Sequence, residues 1–371
     1  MSENKQNRIE QDNIKYFLNE EDKTAGVVGR NIFAKQIIIP RSITHNSQEY
    51  TVTSISKDAF MNSGVKCIKF ADDSKLQTIE ERAFYGSSFK NISIPSSVSR
   101  IGKGAFAYSK FLTLEFGDDS KLQTIEREVF SNVPFEYITI PPKVTELKNG
   151  WCSYISESSK ILVSPLNPYF KTYDEDKIVV AKSSLDSPNY NCLVFCVGNI
   201  RSITIPDFIE HIFPYAFSNC KHIQQIEFSK DSKLQTIDEY AFFGATIKSI
   251  KIPAQVTRIG KMAFDLCYEF RKIEFSNDSK LQIIDKCAFG SSSIESIKIP
   301  SQVKIIEEKT FSSCKKLKKI EFSYDSNLIT IEKDAFCGSA IESITIPPKL
   351  VELKDGWCNN TPKLNKIKVI P

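Results

Sequence analysis

The sequence predicts a solenoid, a chain wound into stacked coils rich in β-strand, and three observations predict it. First, a phenylalanine recurs directly after a short side chain every 22 to 25 residues within two runs. Second, short segments with two alternating isoleucines recur between these phenylalanines. Third, the ends of the two runs match at a constant offset of 206 residues. Self-similarity of this kind is the signature of repeat architectures. The recurring phenylalanines are Phe60, Phe84, Phe106 and Phe130, then Phe217, Phe242, Phe264, Phe289, Phe311 and Phe336.

The isoleucine segments read as strands with one buried side. Ile250 and Ile252 are two residues apart and therefore point to the same side of a strand, whereas Ser249 and Lys251 point to the other. Preceded by Ile247, they fit the pattern L-x-x-L-x-L, which defines leucine-rich repeats at periods of about 20–29 residues. A single coil cannot bury its apolar side, so stacking must supply the core. The predicted fold is a leucine-rich-repeat solenoid, a β-rich superhelix of about 13 to 14 coils with a parallel β-sheet on its concave face.

Each coil also contains corner signals. Proline follows one kind of strand, as at Pro253, and ends the pairing because it lacks an N–H donor. An Asp-Ser pair follows the other kind, as at Asp231-Ser232, where the side chains can bond the local backbone. Trp151 and Trp357 follow the last phenylalanine of each run by 21 residues. We expect each tryptophan to take the phenylalanine position of its coil.

The pattern divides the chain into four segments. Residues 1–33 lie outside the repeat and predict an N-terminal β-hairpin cap, residues 34–165 a first repeat array, and residues 200–371 a second. Residues 166–199 break the period with two apolar runs around a polar loop, which predicts an inserted hairpin or irregular coil. That segment is either a bulge from a continuous solenoid, which we favour, or a hinge between two domains. The final strand, Ile367 to Pro371, lacks a visible cap, so we expect weak self-association through this C-terminal edge.

Composition excludes several classes of function. Lys plus Arg is 49 and Asp plus Glu is 45, and this small excess does not indicate a nucleic-acid partner. The sequence shows no signal peptide, no transmembrane run and no lipid-anchor motif, which favours a cytoplasmic location. His45, His211 and His222 lack metal-ligand spacing, and no catalytic or nucleotide-binding motif is present. We therefore expect no catalytic residues, no metal and no cofactor.

The ten cysteines are predicted to be reduced. Cys220, Cys267 and Cys314 recur at intervals of 47 residues, in the same phase of alternate coils. Two coils separate such residues by about 9–10 Å, whereas a disulfide tolerates less than about 7 Å between Cα atoms. They are more simply explained as small core residues.

Outward strand positions are the candidate contact face for a partner. In the second array their charges alternate, which predicts either a ladder of ion pairs between strands or a polar recognition strip. In the first array the line is less charge-paired, and Tyr137 nearby is the only obvious outward aromatic of this half, so we prefer this half as the contact patch. The candidate residues are Lys69, Ser93, Glu115, Tyr137 and Thr139 in the first array, and Glu227, Lys251, Glu274, Lys298 and Glu321 in the second.

The repeats resemble those of the BspA-like leucine-rich repeat family. The resemblance is carried by Ser-Ile-x-Ile-Pro, Val-x-x-Ile and Ala-Phe, and it extends from about residue 14 to residue 371. The alternating segment at residues 228–237 is similar to versions in parasitic protists such as trichomonads. The family implies a right-handed solenoid and, in several members, a surface antigen that adheres to host or microbial proteins. It implies no catalytic residues.

Two functional hypotheses follow for a non-catalytic chain. The first is an adhesin-like or ligand-binding solenoid that contacts protein partners through its concave strand face, at the cell surface by resemblance. The second is an intracellular protein–protein interaction scaffold of the same fold. An enzyme is disfavoured, because it would need a polar cluster that the repeat template does not demand, and we find none.

Overall fold

A computed structural model describes residues 7–156 and 158–369, which form β-strands and turns without a helix. The chain divides into two compact units, one ending at Thr172 and the other beginning at Tyr173. Parallel strands wind through about 15 turns of a β-solenoid, close to the predicted 13 to 14 coils, so the predicted leucine-rich-repeat fold is confirmed.

The strands of the first unit are, in chain order, β1 (Arg8–Gln11), β2 (Ile14–Asn19), β3 (Thr24–Arg30), β4 (Gln36–Ile39), β5 (Ser42–His45), β6 (Gln48–Ile55), β7 (Cys67–Phe70), β8 (Thr78–Ile79), β9 (Asn91–Ile94), β10 (Arg100–Ile101), β11 (Thr113–Phe116), β12 (Thr124–Ile125), β13 (Tyr137–Ile140), β14 (Glu146–Leu147) and β15 (Lys160–Val163). Strand β16 (Phe170–Tyr173) lies at the division. The strands of the second unit are β17 (Ile178–Ala181), β18 (Cys192–Cys196), β19 (Ser202–Ile205), β20 (His211–Ile212), β21 (Gln225–Phe228), β22 (Thr236–Ile237), β23 (Ser249–Ile252), β24 (Arg258–Ile259), β25 (Lys272–Phe275), β26 (Ile283–Ile284), β27 (Ser296–Ile299), β28 (Ile305–Ile306), β29 (Lys319–Phe322), β30 (Thr330–Ile331), β31 (Ser343–Ile346), β32 (Glu352–Leu353) and β33 (Lys366–Val369).

Each repeating coil has a long strand and a short strand, and like strands pair in parallel between coils. In the first unit the four-residue strands pair as β4-β7 and as β9-β11-β13-β15, while the short strands continue from β6 through β8 to β10. In the second unit the long strands form one eight-stranded sheet, β19-β21-β23-β25-β27-β29-β31-β33. The short strands run from β18 through β20, β22 and β24 to β26, and again from β28 to β32. We call the side chains that point outward from the long strands the strand face.

The N-terminal hairpin begins the first unit. Strands β2 and β3 pair antiparallel, β1 joins β2, and β3 pairs in parallel with β6 of the short-strand sheet. Ile14, Tyr16 and Leu18 alternate inward and are almost fully buried, so the hairpin covers the first apolar layer of this sheet. The predicted hairpin is therefore observed, although residues 1–6 of the predicted cap lie outside the described residues.

In the predicted insertion at residues 166–199, strands β17 and β18 pair antiparallel and every one of their residues is buried. Strand β18 then pairs in parallel with β20 and so leads into the second unit's short-strand sheet.

A stack of phenylalanine rings fills the interior of each unit. In the first unit Phe60, Phe84 and Phe106 lie with ring centroids 5.2 Å apart and nearly parallel. In the second unit the rings from Phe217 to Phe336 continue at 4.8 to 5.5 Å. All are 0 or 1% exposed, so the Ala-Phe pairs place their rings inward as predicted. The spacing follows from the strand spacing of about 4.8 Å between coils.

The two tryptophans do not take the phenylalanine position, and that expectation was wrong. The amide of Phe106 donates to Val129, the residue before the next ring, and the amide of Phe130 correspondingly donates to Trp151. Trp151 therefore occupies the register of the small residue, and Cys152 that of the ring. The positions of positive φ confirm this register. In the preceding coil the residue with positive φ is Glu128, two residues before the ring of Phe130. In the next coil it is Gly150, with φ of 72°, two residues before Cys152. Trp357 and Cys358 repeat the arrangement, since the amide of Phe336 donates to Trp357.

The Asp-Ser corners form as expected, with serine as the capping residue. In each, the serine hydroxyl accepts the backbone N–H two residues on, for example Leu281 to Ser279 at 3.3 Å and Leu328 to Ser326 at 3.3 Å. A hydroxyl that satisfies its own turn competes with strand pairing and so ends the strand. These turns come directly after alternate long strands, such as β25 and β29, and set where the strand face ends there.

Candidate functional site

In the first unit the structure brings together three of the predicted residues. Ser93 and Glu115 lie directly opposite each other on paired long strands, and Lys69 is an outward residue of the preceding long strand, β7. All three are exposed and line one open cleft of about 710 Å³. Thr139 continues the column on β13 but is half-buried and lies outside that cleft.

Tyr137 lies near this column, on the same strand as Thr139. It pairs in register with Thr113 on one side and with Lys160 on the other, two residues before the column of Thr139. Its side chain is half-buried. It is also not the one outward aromatic, because Tyr108 and Tyr154 of the same unit are 52% and 53% exposed.

In the second unit the predicted charged residues form one continuous column. Lys251 lies opposite Glu274, and Lys298 lies opposite Glu321, as the alternating pattern requires. Glu227, Lys251, Glu274 and Lys298 are exposed, and Glu321 is half-buried. A cleft of about 1150 Å³ reaches Glu227 and Lys251, and another of about 440 Å³ reaches Glu274 and Lys298.

The ion pairs of this column form within strands and not between them. Lys272 bonds Glu274 two residues along β25, and Lys319 bonds Glu321 in the same way along β29. The amide of Gln225 donates to Glu227 at 2.6 Å on β21. The predicted ladder between strands is therefore replaced by neutral Lys-x-Glu units, each complete in its own strand.

This arrangement changes the electrostatics of alternate strands. The hydrogen bond from Lys272 holds the pKa of Glu274 below its usual value, with a smaller contribution from the charge of Lys251. Lys251 and Lys298 themselves form no ion pair with any residue in 7–156 or 158–369. Their ammonium groups therefore remain available on the strand face.

A row of aromatic residues near the phenylalanine turns was not predicted. Tyr215 and Tyr240 stack with ring centroids 4.8 Å apart and 5° between planes, and Phe243 packs edge-on against Tyr240. Tyr85 and Tyr108 are 5.2 Å apart in the first unit. The available sequence signal was an aromatic residue directly before or just after the Ala-Phe pair in neighbouring coils.

The reactive side chains occupy structural positions. All ten cysteines are unpaired, and the thiols of Cys267 and Cys314 donate to the carbonyls of Phe242 and Phe289 at 3.0 and 3.1 Å. Burial raises the pKa of each of these two thiols to about 12, which disfavours the reactive thiolate. In the described parts of the chain, no three His, Cys, Asp or Glu side chains are grouped as metal ligands. The same parts contain no helical segment with the length and apolarity that a bilayer span requires.

Comparison with known proteins identifies the repeat. A model of the BspA type leucine-rich repeat region matches residues 28–157, 169–271 and 235–365, in six copies. The chain is a member of the BspA-type leucine-rich repeat family. This family of repeat proteins is associated with surface antigens and with protein–protein interaction. Among curated proteins, none matches the sequence.

Three solved structures of BspA-like repeat proteins, all bacterial, share the fold. The pneumococcal vaccine antigen PcpA aligns over 98% of this chain and 87% of its own, at 22% identity and a TM-score of 0.59. A leucine-rich repeat protein from Eubacterium ventriosum aligns over 94% and 93%, at 17% identity and 0.61. A leucine-rich cell surface protein from Faecalibacterium prausnitzii aligns over 98% and 95%, at 20% identity and 0.52. At these identities the likeness concerns the fold alone.

Proposed function

We propose that this BspA-type protein is a non-catalytic binding protein whose strand face contacts a protein partner. The observation that carries the proposal is the difference between the two sides of each long strand. Ile250 and Ile252 are at most 3% exposed, whereas Ser249 and Lys251, which alternate with them, are exposed. The core therefore uses one side completely and leaves a regular polar surface on the other.

The clefts beside the strand face support the same function. Three of them reach seven of the ten predicted contact residues, and their volumes of about 440 to 1150 Å³ cover the range of ordinary binding sites. Their walls combine strand residues with the adjacent Pro or Asp-Ser corner, for example Glu227, Lys251 and Pro253. Open clefts of this form suit the side chains of a protein segment better than an enclosed small molecule.

Within this face we propose the first unit as a contact patch, consisting of Lys69, Ser93, Glu115, Tyr137 and Thr139. Glu115 and Ser93 are exposed side by side. Tyr137 adds a half-buried aromatic ring two residues before Thr139, and tyrosine is enriched in protein interfaces because its ring is apolar and its hydroxyl polar. The second-unit column is the other part of the proposed face.

Two settings fit such a protein. An adhesin-like role is favoured by the family and by two structural neighbours, one a vaccine antigen and the other a cell surface protein. An intracellular scaffold is favoured by ten unpaired cysteines, seven of them buried, since reduced thiols are typical of that compartment. Labelling of intact and permeabilised cells separates them: an adhesin is labelled on intact cells, whereas a scaffold is labelled only after permeabilisation.

We further propose weak self-association at the edge of β33. This strand pairs with β31 on one side, and all four of its residues are exposed. An exposed strand edge is a template for another strand. Residues 370 and 371 lie outside the described part of the chain. Light scattering at increasing concentration tests this, and a constant monomer mass at high concentration would exclude it.

The binding function is tested by capture of partners on the immobilised chain, followed by variants. Glu115→Ala and Tyr137→Ala alter the strand face, and Arg100→Ala, exposed on the short strand β10, is the matched control. We expect each strand-face variant to weaken the affinity for the captured partner at least tenfold. The control variant should leave that affinity unchanged. Loss with Arg100→Ala and retention with both face variants would contradict the proposal.

A further inference from the structure

Neighbouring long strands of the second unit differ in whether their outward charges are paired. On β25 and β29 the glutamates Glu274 and Glu321 are bonded by lysines of their own strand. On β23 and β27 the equivalent outward positions hold Lys251 and Lys298, preceded by a serine that carries no charge. Cations without an ion pair therefore lie on β23 and β27, with the ion-paired strand β25 between them.

The surroundings of these two lysines strengthen the positive field. Lys248, Arg271 and Lys318 are exposed just before strands β23, β25 and β29, and Glu295 holds that position before β27. Across these four strands the outward and preceding positions carry seven cations and three carboxylates, an excess of four. A complementary partner is acidic.

The spacing of the free lysines restricts the conformation of that partner. Two strands separate Lys251 from Lys298, a distance of roughly 9.6 Å at about 4.8 Å per strand. A polyproline II helix rises about 3.1 Å per residue with three residues per turn, so every third side chain returns to one side after about 9.3 Å. In an extended β-strand the third side chain points to the opposite side. The column thus matches a polyproline II segment with an acid at every third position.

The residues at the two ends of this column indicate how far the match extends. At the same two-strand interval, Thr204 precedes Lys251 on β19 and Thr345 follows Lys298 on β31. Two lysines are therefore flanked by two hydroxyls. This row of four residues matches four turns of a polyproline II helix. The two central turns carry the carboxylates that face the lysines, and the two outer turns face the threonines.

We propose that the strand face of the second unit binds an acidic protein segment in the polyproline II conformation, with carboxylates spaced three residues apart that pair with Lys251 and Lys298. This inference rests on the proposed function, because it identifies the partner class of the same face. The free lysines recognise charge, and the two-strand interval selects the conformation.

The test uses fluorescent peptides and the full chain. The probe is (Pro-Pro-Glu)4, and its comparisons are (Pro-Pro-Gln)4 and (Pro-Pro-Pro-Glu)4, which keeps the four carboxylates at another spacing. The variant Lys251→Gln/Lys298→Gln is matched by Lys261→Gln/Lys333→Gln, two exposed lysines that precede Ala-Phe pairs. Fluorescence anisotropy measures each Kd.

We expect (Pro-Pro-Glu)4 to bind at least tenfold more tightly than either comparison peptide. The variant Lys251→Gln/Lys298→Gln should raise the Kd of (Pro-Pro-Glu)4 at least tenfold. The control variant should change Kd less than twofold. Equal affinity for both glutamate spacings, no binding, or equal weakening by the control would overturn the proposal. If Lys251→Gln/Lys298→Gln still retains the captured partner that strand-face variants lose, the binding function stands and only the acidic segment is rejected.

Discussion

Trp151 packs edge-on against Phe130, with ring centroids 6.2 Å apart and 83° between planes. The preceding pair, Phe106 and Phe130, is nearly parallel at 17°. Trp357 meets Phe336 in the same way, at 6.0 Å and 89°. Each phenylalanine stack is therefore closed by an indole that enters from the small-residue position.

This closure predicts an unusual rescue. Trp151→Ala removes a ring that is 6% exposed, and we expect a loss of about 3–5 kcal/mol in the free energy of unfolding. Adding Cys152→Phe restores the Ala-Phe order in the register that the backbone already has. We expect the double variant to recover at least half of the loss in urea denaturation. A double variant less stable than Trp151→Ala would mean that position 152 does not hold the ring register.

The interior stack itself makes a stronger stability prediction. Phe264→Ala or Phe289→Ala leaves a cavity between two parallel rings, so each should cost about 3–5 kcal/mol. Lys251→Ala, on the opposite side of the strand layer, should cost less than about 1 kcal/mol. Denaturation midpoints of the three variants decide the matter, and equal shifts would show that inward and outward positions are assigned wrongly.

A close backbone approach at Gly260 gives a third prediction. A Cβ atom there would lie 2.6 Å from the carbonyl carbon of Asp238 and 2.7 Å from the amide of Glu239. We expect Gly260→Ala to destabilise by about 1–3 kcal/mol, as overpacking does. Gly64→Ala is the control, because no atom lies within 4 Å of its added carbon. Similar thermal midpoints for the two variants would contradict this packing.

A buried carboxyl predicts a pH dependence of stability. Burial raises the pKa of Asp265 from 3.8 to about 6, although the amide of Leu266 donates to it. The folded state therefore holds this proton more tightly than the unfolded state, and the contribution of Asp265 to stability falls as pH rises from about 4 to 6. Asp265→Asn keeps the acceptor without the charge.

We expect Asp265→Asn to gain about 1–2 kcal/mol over the natural chain at pH 7 and little at pH 3.5. Thermal unfolding at the two pH values measures the difference, with Asp231→Asn, an exposed aspartate, as the control. A gain that is the same at both pH values would indicate a packing effect and not titration.

The sequence was sufficient for the fold because burial follows the repeat. Ile250, Ile252 and Phe264 recur in phase, and a residue that faces inward in one coil must face inward in the next. The register of Trp151 was harder to predict. An interval of 21 residues from Phe130 is compatible with Trp151 at the phenylalanine position of a shortened coil and with Trp151 at the small-residue position before it. Only the backbone hydrogen bond from Phe130 distinguishes the two.

The candidate site was only partly predictable for a different reason. Lys251 and Glu274 lie opposite each other as expected, but Glu274 also has Lys272 two residues away on its own strand. Lys251 and Lys272 are both close enough to pair with Glu274, and the sequence does not show which of them is nearer. The Lys-x-Glu motif was the available signal. The stacked pair of Tyr215 and Tyr240 was not predicted, because these residues lie in turns, outside the alternating pattern of the strands.

The most direct test of the binding face is site-specific photo-crosslinking of the captured partner. A benzophenone side chain would replace Ser93 or Ser249 on the strand face, and Ser99 or Gln282 ahead of the short strands as controls, all four being exposed. The strand-face account predicts covalent adducts with the partner from Ser93, Ser249 or both, and none from the controls. Adducts formed only from Ser99 or Gln282 would contradict it.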